Sequence, residues 1–389
     1  MILTQCAVCA TDLGLTRGKK CGRCGTRYCG PECQVQHWKE GGHDQLCKKI
    51  KRSGGAEQYY ANNKYSEAVA VAVDKCADDT RGQTCFICTQ ALHCKTKEGL
   101  VRGCACRGTA GFAHVSCLAE QVKILIAEAE ENNLFDKANE RWLRWDTCGL
   151  CEQKYHGVVL CALGWACWKT YLDRPETEPV LSGAMSLLGN GLHEVGHLAD
   201  ALSVREADLA MMRRHGAPEE NILAAQSALA IACAAVRDLE KALSMERDVY
   251  SGRLRLHGEE HPQTLIAANN YASRLVGLKR FEEAKTLLRR ITPVARRVLR
   301  ESDELTLKMR SMYAQALCRD PAATLDNRRE AVSTLEDVAL ITRRVFGGAH
   351  PLTEGVGCEL RASRAVLEVA IGARDVEALR GLVGAMGTA

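Results

Sequence analysis

The chain has 389 residues, 46% of them apolar and only 5% aromatic, with 52 Lys/Arg against 48 Asp/Glu and 21 cysteines. That length exceeds what one compact core usually supports, so two or three domains are expected, and the scarcity of aromatics and proline favours small-residue helical packing over a β-sandwich. The longest apolar run, residues 158–168, covers about 11 positions where a spanning helix needs roughly 20, which argues against a membrane span.

The opening Met1-Ile2-Leu3-Thr4-Gln5 runs into Cys6 with no charged start followed by an apolar stretch, so no secretory leader is expected here. Sixteen of the 21 cysteines precede residue 152, mostly as closely spaced pairs. In a reducing compartment, cytoplasm or nucleus, such pairs read as zinc ligands rather than disulfides. Residues 1–55 hold ten Lys/Arg and four Asp/Glu. The plain reading is a solvated face around a metal site, and the sharper one an acidic partner; nucleic acid is the least favoured.

The first ligand series is Cys6-x2-Cys9, Cys21-x2-Cys24, Cys29-x3-Cys33 and His43-x3-Cys47. Two residues between cysteines let both thiolates grip one tetrahedral ion, and eight ligands make two closed sites. With Tyr28 before Cys29, and Gln34 after Cys33 ahead of His37-Trp38, the segment resembles a MYND finger. That resemblance implies an interleaved pairing: Cys6, Cys9, Cys29 and Cys33 on one ion, and Cys21, Cys24, His43 and Cys47 on the other. His37 is a rival to His43. MYND fingers recognise short peptides, often containing proline, and the finger is expected over residues 1–50.

Lys51-Arg52-Ser53-Gly54-Gly55 reads as a linker opening a helical connection over 51–80. Two helical patches, 57–61 and 65–76, are expected there, joined by a turn at Asn62-Asn63. A second series comes next: Cys85-x2-Cys88, Cys104-x-Cys106, His114-x2-Cys117 and Cys148-x2-Cys151. Four cysteines, a histidine and three cysteines is an order common to PHD and RING-CH fingers. One residue between Cys104 and Cys106, then seven before His114, with Gly108, Ala113, Leu118 and Tyr155, makes the segment similar to RING-CH. The resemblance implies Cys85, Cys88, His114 and Cys117 on one ion and Cys104, Cys106, Cys148 and Cys151 on another, within a module over 81–170.

Residues 118–141 carry apolar positions at helical spacing, so one inserted helix is expected. RING-CH fingers are generally ubiquitin ligases, with Ile87 at the apolar position that docks a ubiquitin-conjugating enzyme. Gln121 stands where the family has a docking tryptophan, with Trp142 or Trp145 as substitutes, and Glu152 stands where many active fingers have a cation. Cys76, Cys94 and Cys161 are left over and read as small buried thiols. Trp165-x2-Trp168 reads as packing between the finger and the helical region beyond it.

Asp173-Arg174-Pro175-Glu176-Thr177-Glu178-Pro179 is a break, and past it the pattern is helical. Leu223, Leu265 and Leu307 fall 42 apart, and Asp238-Leu239-Glu240-Lys241-Ala242 aligns with Arg280-Phe281-Glu282-Glu283-Ala284 at that offset. The next copy, ending Arg329-Glu330-Ala331, comes 47 later, with an insertion expected at Asp320-Pro321-Ala322-Ala323. Gly258-Glu259-Glu260-His261-Pro262 recurs as Gly347-Gly348-Ala349-His350-Pro351, and Ala199-Asp200-Ala201-Leu202 marks a less regular earlier copy.

Two helices and a turn per unit cannot bury an apolar face alone, so the units must stack into a solenoid. These motifs, with Asn269-Asn270-Tyr271-Ala272, resemble the tetratricopeptide repeats of kinesin light chains over 180–380. The resemblance implies a peptide-binding groove. Asn270 matches one of its asparagines, while Ala228 and Met312 replace it in flanking units. His193 and His197 stand four apart like a helical metal pair but are read as a surface helix.

The sequence therefore points to a mainly α fold with two small cross-braced zinc-binding modules and an α-solenoid. Four Zn²⁺ ions are expected, with proteins or peptides as partners and no membrane. Two functions stand side by side, a RING-CH ubiquitin ligase and a non-catalytic adaptor.

Overall fold

The computed structural model describes residues 6–11, 13, 17–348 and 350–386, with 135 and 373–386 described by their backbone alone. The opening Met1-Ile2-Leu3-Thr4-Gln5 and Ala349 of the second Gly-x-x-His-Pro turn lie outside the described residues. The chain divides into two compact units, Met1–Val236 and Arg237–Ala389.

The first unit opens with a short antiparallel pair, β1 (Lys19–Lys20) and β2 (Arg27–Tyr28), followed by α1 (Pro31–Lys39) and α2 (His43–Arg52). Lys51 and Arg52 complete α2, so the linker shrinks to the turn at Ser53-Gly54-Gly55, where both glycines have positive φ. Next comes α3 (Ala56–Lys75), one helix of 20 residues. The expected turn at Asn62-Asn63 is absent. Asn62 instead accepts from Gln58 Nε2 at 3.3 Å, and its carbonyl accepts from Ser66 Oγ at 3.0 Å, both one turn away. Ala61, Tyr65, Val69 and Ala72 make a buried stripe that tertiary packing rewards more than asparagine's propensity costs.

The inserted helix is two helices, α4 (Val115–Glu131) and α5 (Phe135–Trp142), broken at Asn132-Asn133-Leu134, where Asn133 has φ +54°. A 3₁₀ turn (Leu143–Trp145) leads on to α6 (Gly157–Tyr171), α7 (Pro179–Glu194), α8 (Leu198–Arg214) and α9 (Glu219–Ala235). Helix α6 is buried on every side, Trp165 and Trp168 included, and packs against α3, α4 and α7. Its approach to α7 needs two glycines. A Cβ on Gly164 would lie 3.0 Å from Leu188 Cα, and one on Gly191 would lie 2.6 Å from Cys161 Cα. None of the described helices is long and apolar enough to cross a membrane.

The second unit is a run of helices: α10 (Leu239–His257), α11 (Pro262–Gly277), α12 (Phe281–Leu299), α13 (Glu304–Arg319), α14 (Leu325–Phe346) and α15 (Pro351–Met386). Each packs on the next. The periodic positions are its core, since Leu265, Leu307, Ala242, Ala284 and Ala331 are all fully buried. The Gly-x-x-His-Pro turn has a physical reading. Gly258 ends α10 with φ +79°, His261 Nδ1 accepts from the N–H of Gln263, and Pro262 starts α11. At the intervening turn Arg300 takes φ +82° and Asp303 caps Leu305 N–H at 2.9 Å, so the same geometry runs on different letters.

The five extra residues do not all form a loop. The α13–α14 connection is two residues longer than its counterparts, and α14 adds three residues at its start, 22 against 19 for α10 and α12.

Candidate metal centres

Each of the four Cys-x-x-Cys pairs folds into the same closed turn. The first cysteine's carbonyl accepts from the residue four on: Ala10, Gly25, Thr89 and Glu152, at 2.8–3.1 Å. Its N–H donates to the carbonyl five on, in Thr11, Thr26, Gln90 and Gln153, at 2.8–3.0 Å. The residue after the second cysteine has positive φ in all four, between +56° and +78°. Only one of them is glycine. Three non-glycine residues therefore hold a left-handed conformation, a strain that the surrounding turn must hold.

These turns bring ligand atoms together in four sets. Cys6, Cys9, Cys29 and Cys33 form one, and Cys21, Cys24, His43 and Cys47 the second. Cys85, Cys88, His114 and Cys117 form the third, and Cys104, Cys106, Cys148 and Cys151 the fourth. Within each set the ligand atoms lie within 4.8 Å of one another.

The donor geometry fits zinc. Sulfur–sulfur separations are 3.5 Å for Cys9–Cys29 and 3.8 Å for both Cys21–Cys47 and Cys106–Cys148. A tetrahedron with Zn–S bonds of about 2.3 Å has edges of about 3.8 Å. A disulfide would need about 2.05 Å. All seven cysteines of each series are free thiols.

The histidines differ in the nitrogen they offer. His114 turns Nδ1 towards Cys88 and Cys117 at 3.4 and 3.5 Å, while Nε2 donates to the carbonyl of Ala91. That outer hydrogen bond fixes the ring as second partners do around metals. His43 turns Nε2 towards Cys24 Sγ at 3.5 Å and is fully buried. The rival His37 stands outside the set, with Nδ1 3.0 Å from the Tyr28 hydroxyl and its ring against His43.

Without a cation the thiols of each set diverge. The Thr11 hydroxyl and N–H hold Cys9 at about 6, and the Gln153 N–H holds Cys151 at about 7. Burial pushes Cys47 up to about 12 and Cys106 to about 11, and raises Cys104 and Cys117 as well. Three or four crowded thiols cannot all ionise unless a dication offsets their charge.

Supporting contacts were not legible in the sequence. The Glu98 carboxylate takes Ser116 N–H at 2.7 Å and Ser116 Oγ at 2.8 Å, anchoring the α4 start beside His114. A bridge between Val101 and Ala113 closes the loop that carries Cys104 and Cys106. Gly111 packs under that pair. A Cβ there would sit 2.6 Å from Cys106 Cβ and 2.9 Å from its Sγ.

Beside the third set lies a groove of about 300 Å³ lined by Ile87, His93, Ser116, Glu120, Gln121 and Ile124. Neither expected substitute for the tryptophan reaches it. Trp145 is buried in the core of the unit, and Trp142 packs on Tyr171 and Gly183. The residues His193 and His197 do not share a helix. α7 stops at Glu194, Gly196 has φ +78°, and His197 caps α8, so the surface-helix reading is replaced by a helix junction with His193 half-buried. Of the leftover cysteines, Cys76 and Cys161 are buried as expected, but Cys94 is exposed.

Residues 6–47 match the MYND finger family and residues 221–297 match the tetratricopeptide repeat family. The comparison with curated proteins found no match. Similar solved structures include the "nearly identical TPR-like repeats" of a putative kinesin light chain from Podosopora anserina. That protein is 20% identical, with 60% of this chain and 98% of that one covered and a TM-score of 0.39. A form of it carrying one substitution gives 20%, 59%, 97% and 0.40. BtubC (BKLC) from P. vanneervenii is 13% identical, with 70% and 92% covered and a TM-score of 0.43. The chain thus carries a MYND finger and tetratricopeptide repeats, a zinc-binding and protein-interacting combination.

Proposed function

We propose that the sixteen clustered side chains hold four Zn²⁺ ions, and that the second finger is a RING-CH module that docks a charged ubiquitin-conjugating enzyme. Zinc would supply structure only, fixing loops whose surfaces do the binding. The MYND finger (1–50) and the repeats (180–380) would select the partner, and the 81–170 module would act on it. Free thiols in such number suit the cytoplasm or nucleus.

The observation carrying this reading is the apolar groove between the Cys85–Cys88 turn and α4, with Ile87 on one side and Ile124, 50% exposed, on the other. Discharge of ubiquitin from a charged conjugating enzyme by the zinc-loaded full chain tests it. Ile87→Ala is expected to slow discharge about tenfold while leaving zinc content unchanged. A folded, zinc-loaded chain inert across a panel of conjugating enzymes would leave the second reading.

That second reading is a non-catalytic adaptor. Gln121 in the groove, Glu152 after the last ligand and the engagement of both tryptophans elsewhere favour it. It expects Ile87→Ala to leave partner capture intact.

A further inference from the structure

We infer that the Cys6–Cys9–Cys29–Cys33 set is a peroxide-oxidisable site, with Cys9 and Cys29 as the reacting pair. The inference rests on the zinc reading above and goes beyond it, because it separates one set from the other three.

The separation is one of access. In the first set Cys9 and Cys29 are exposed and Cys33 is half-buried, leaving only Cys6 covered. In the second set of the same finger every ligand is buried. The third set has only Cys88 partly open, and in the fourth Cys104, Cys106 and Cys151 are half-buried. Structural zinc sites are closed as a rule, and thiolate oxidation follows exposure. The exposed pair is also a ready couple, its sulfurs 3.5 Å apart, with Cys33 3.5 Å from Cys29 and 3.7 Å from Cys9. By contrast Cys94 and Cys358 are exposed cysteines that belong to none of the four thiol clusters, so no clustered thiol stands by to complete a disulfide.

The oxidant is hydrogen peroxide or an organic hydroperoxide. One thiolate of the pair attacks a peroxide oxygen, forming an S–O bond as the O–O bond breaks, and the leaving hydroxide takes a proton to become water. The second thiolate then attacks the sulfenic sulfur, forming the S–S bond and expelling hydroxide, which takes a second proton. Two thiolates, one hydrogen peroxide and two protons become one disulfide and two waters; with an organic hydroperoxide, one of those waters is an alcohol. The set keeps Cys6 and Cys33, too few to hold the ion. Cys33 lies on α1, which also exposes Val35 and Trp38, so loss of the ion releases Cys33, and α1 is then tied to the Cys6–Cys9 turn through the Cys9–Cys29 bond ahead of its first residue, Pro31.

The test uses the zinc-loaded full chain, its metal content measured first, titrated with hydrogen peroxide while a chromogenic chelator reports free zinc. The expected result is early release of one ion per chain, about tenfold faster than the rest. Non-reducing peptide mapping at that stage should show a Cys9–Cys29 disulfide, and dithiothreitol with zinc should reverse both changes. Equal release from all sets, or a first disulfide mapped outside this set, overturns the inference while leaving the four-ion reading in place. A chain that starts with the Cys6 set empty overturns the zinc reading, and this inference with it.

Discussion

In the first finger the buried set is Cys6, Leu13, Cys21, Cys24, Tyr28, Cys47, Ile50 and Ala56, half of it thiols. Around α13–α15 the comparable set is Leu307, Ala314, Leu317, Cys318, Ala331, Leu335, Val338 and Val356, with a single thiol. Burying a leucine is worth about 1.5–3 kcal/mol, so the second set can hold its helices by packing alone. The first cannot. Its thiols bury little apolar surface, and one of its two Cys-x-x-Cys turns holds a non-glycine residue, Ala10, at positive φ. A structural zinc contributes about 10–16 kcal/mol at neutral pH, and the finger's order is expected to depend on it.

Removing metal should break the comparison most visibly. With a strong chelator, amide hydrogen exchange is expected to rise throughout residues 6–55 and 85–155 and to stay unchanged across 262–346. Equal loss in both regions would mean that the repeats also lean on the ions.

The next effect is local. Leu307→Ala should cost about 2–5 kcal/mol in the repeats with zinc content unaltered. Gly111→Ala should do the converse. Its Cβ meets Cys106, and its φ of +83° adds about 1–2 kcal/mol of strain. Metal analysis should fall by one ion per chain, while the melting of the repeats holds.

The smallest effect is one of pH, with opposite signs in two places. Zinc ligands bind as thiolates, so acidification should strip the ions progressively. In the α7–α8 hairpin, Asp208 is buried, and burial raises its carboxyl to about 6 against the opposing pull of the Ser182 Oγ hydrogen bond at 2.7 Å and the Arg205 charge. A carboxyl raised above its unfolded value favours the fold most below about pH 4, and that contribution is lost as pH climbs through 6. Asp208→Asn is therefore expected to stabilise this hairpin at pH 7.5, on the order of 1–3 kcal/mol, and to do nothing at pH 4. Thermal melts at the two pH values check it.

Ligand spacing was readable because each Cys-x-x-Cys turn closes within six residues and needs nothing distant. The 42-residue period was readable because Leu265 and Leu307 repeat one buried position and Ala242 and Ala284 another. Gly-x-x-His-Pro skips a copy in the sequence because Arg300 and Asp303 make the same turn, and backbone geometry tolerates more than one spelling.

By itself the sequence determined whatever is local or periodic: closed turns carrying thiols, helix starts and stops, and the repeat length. Tertiary structure decided the rest. It carried α3 unbroken through Asn62-Asn63, divided the inserted helix at Asn132, put Trp145 in the core, set His197 beyond a helix end and pressed Gly111 against Cys106. Each of those outcomes depends on which distant surface arrives, and a local propensity of under about 1 kcal/mol per residue yields to the burial that such a surface brings.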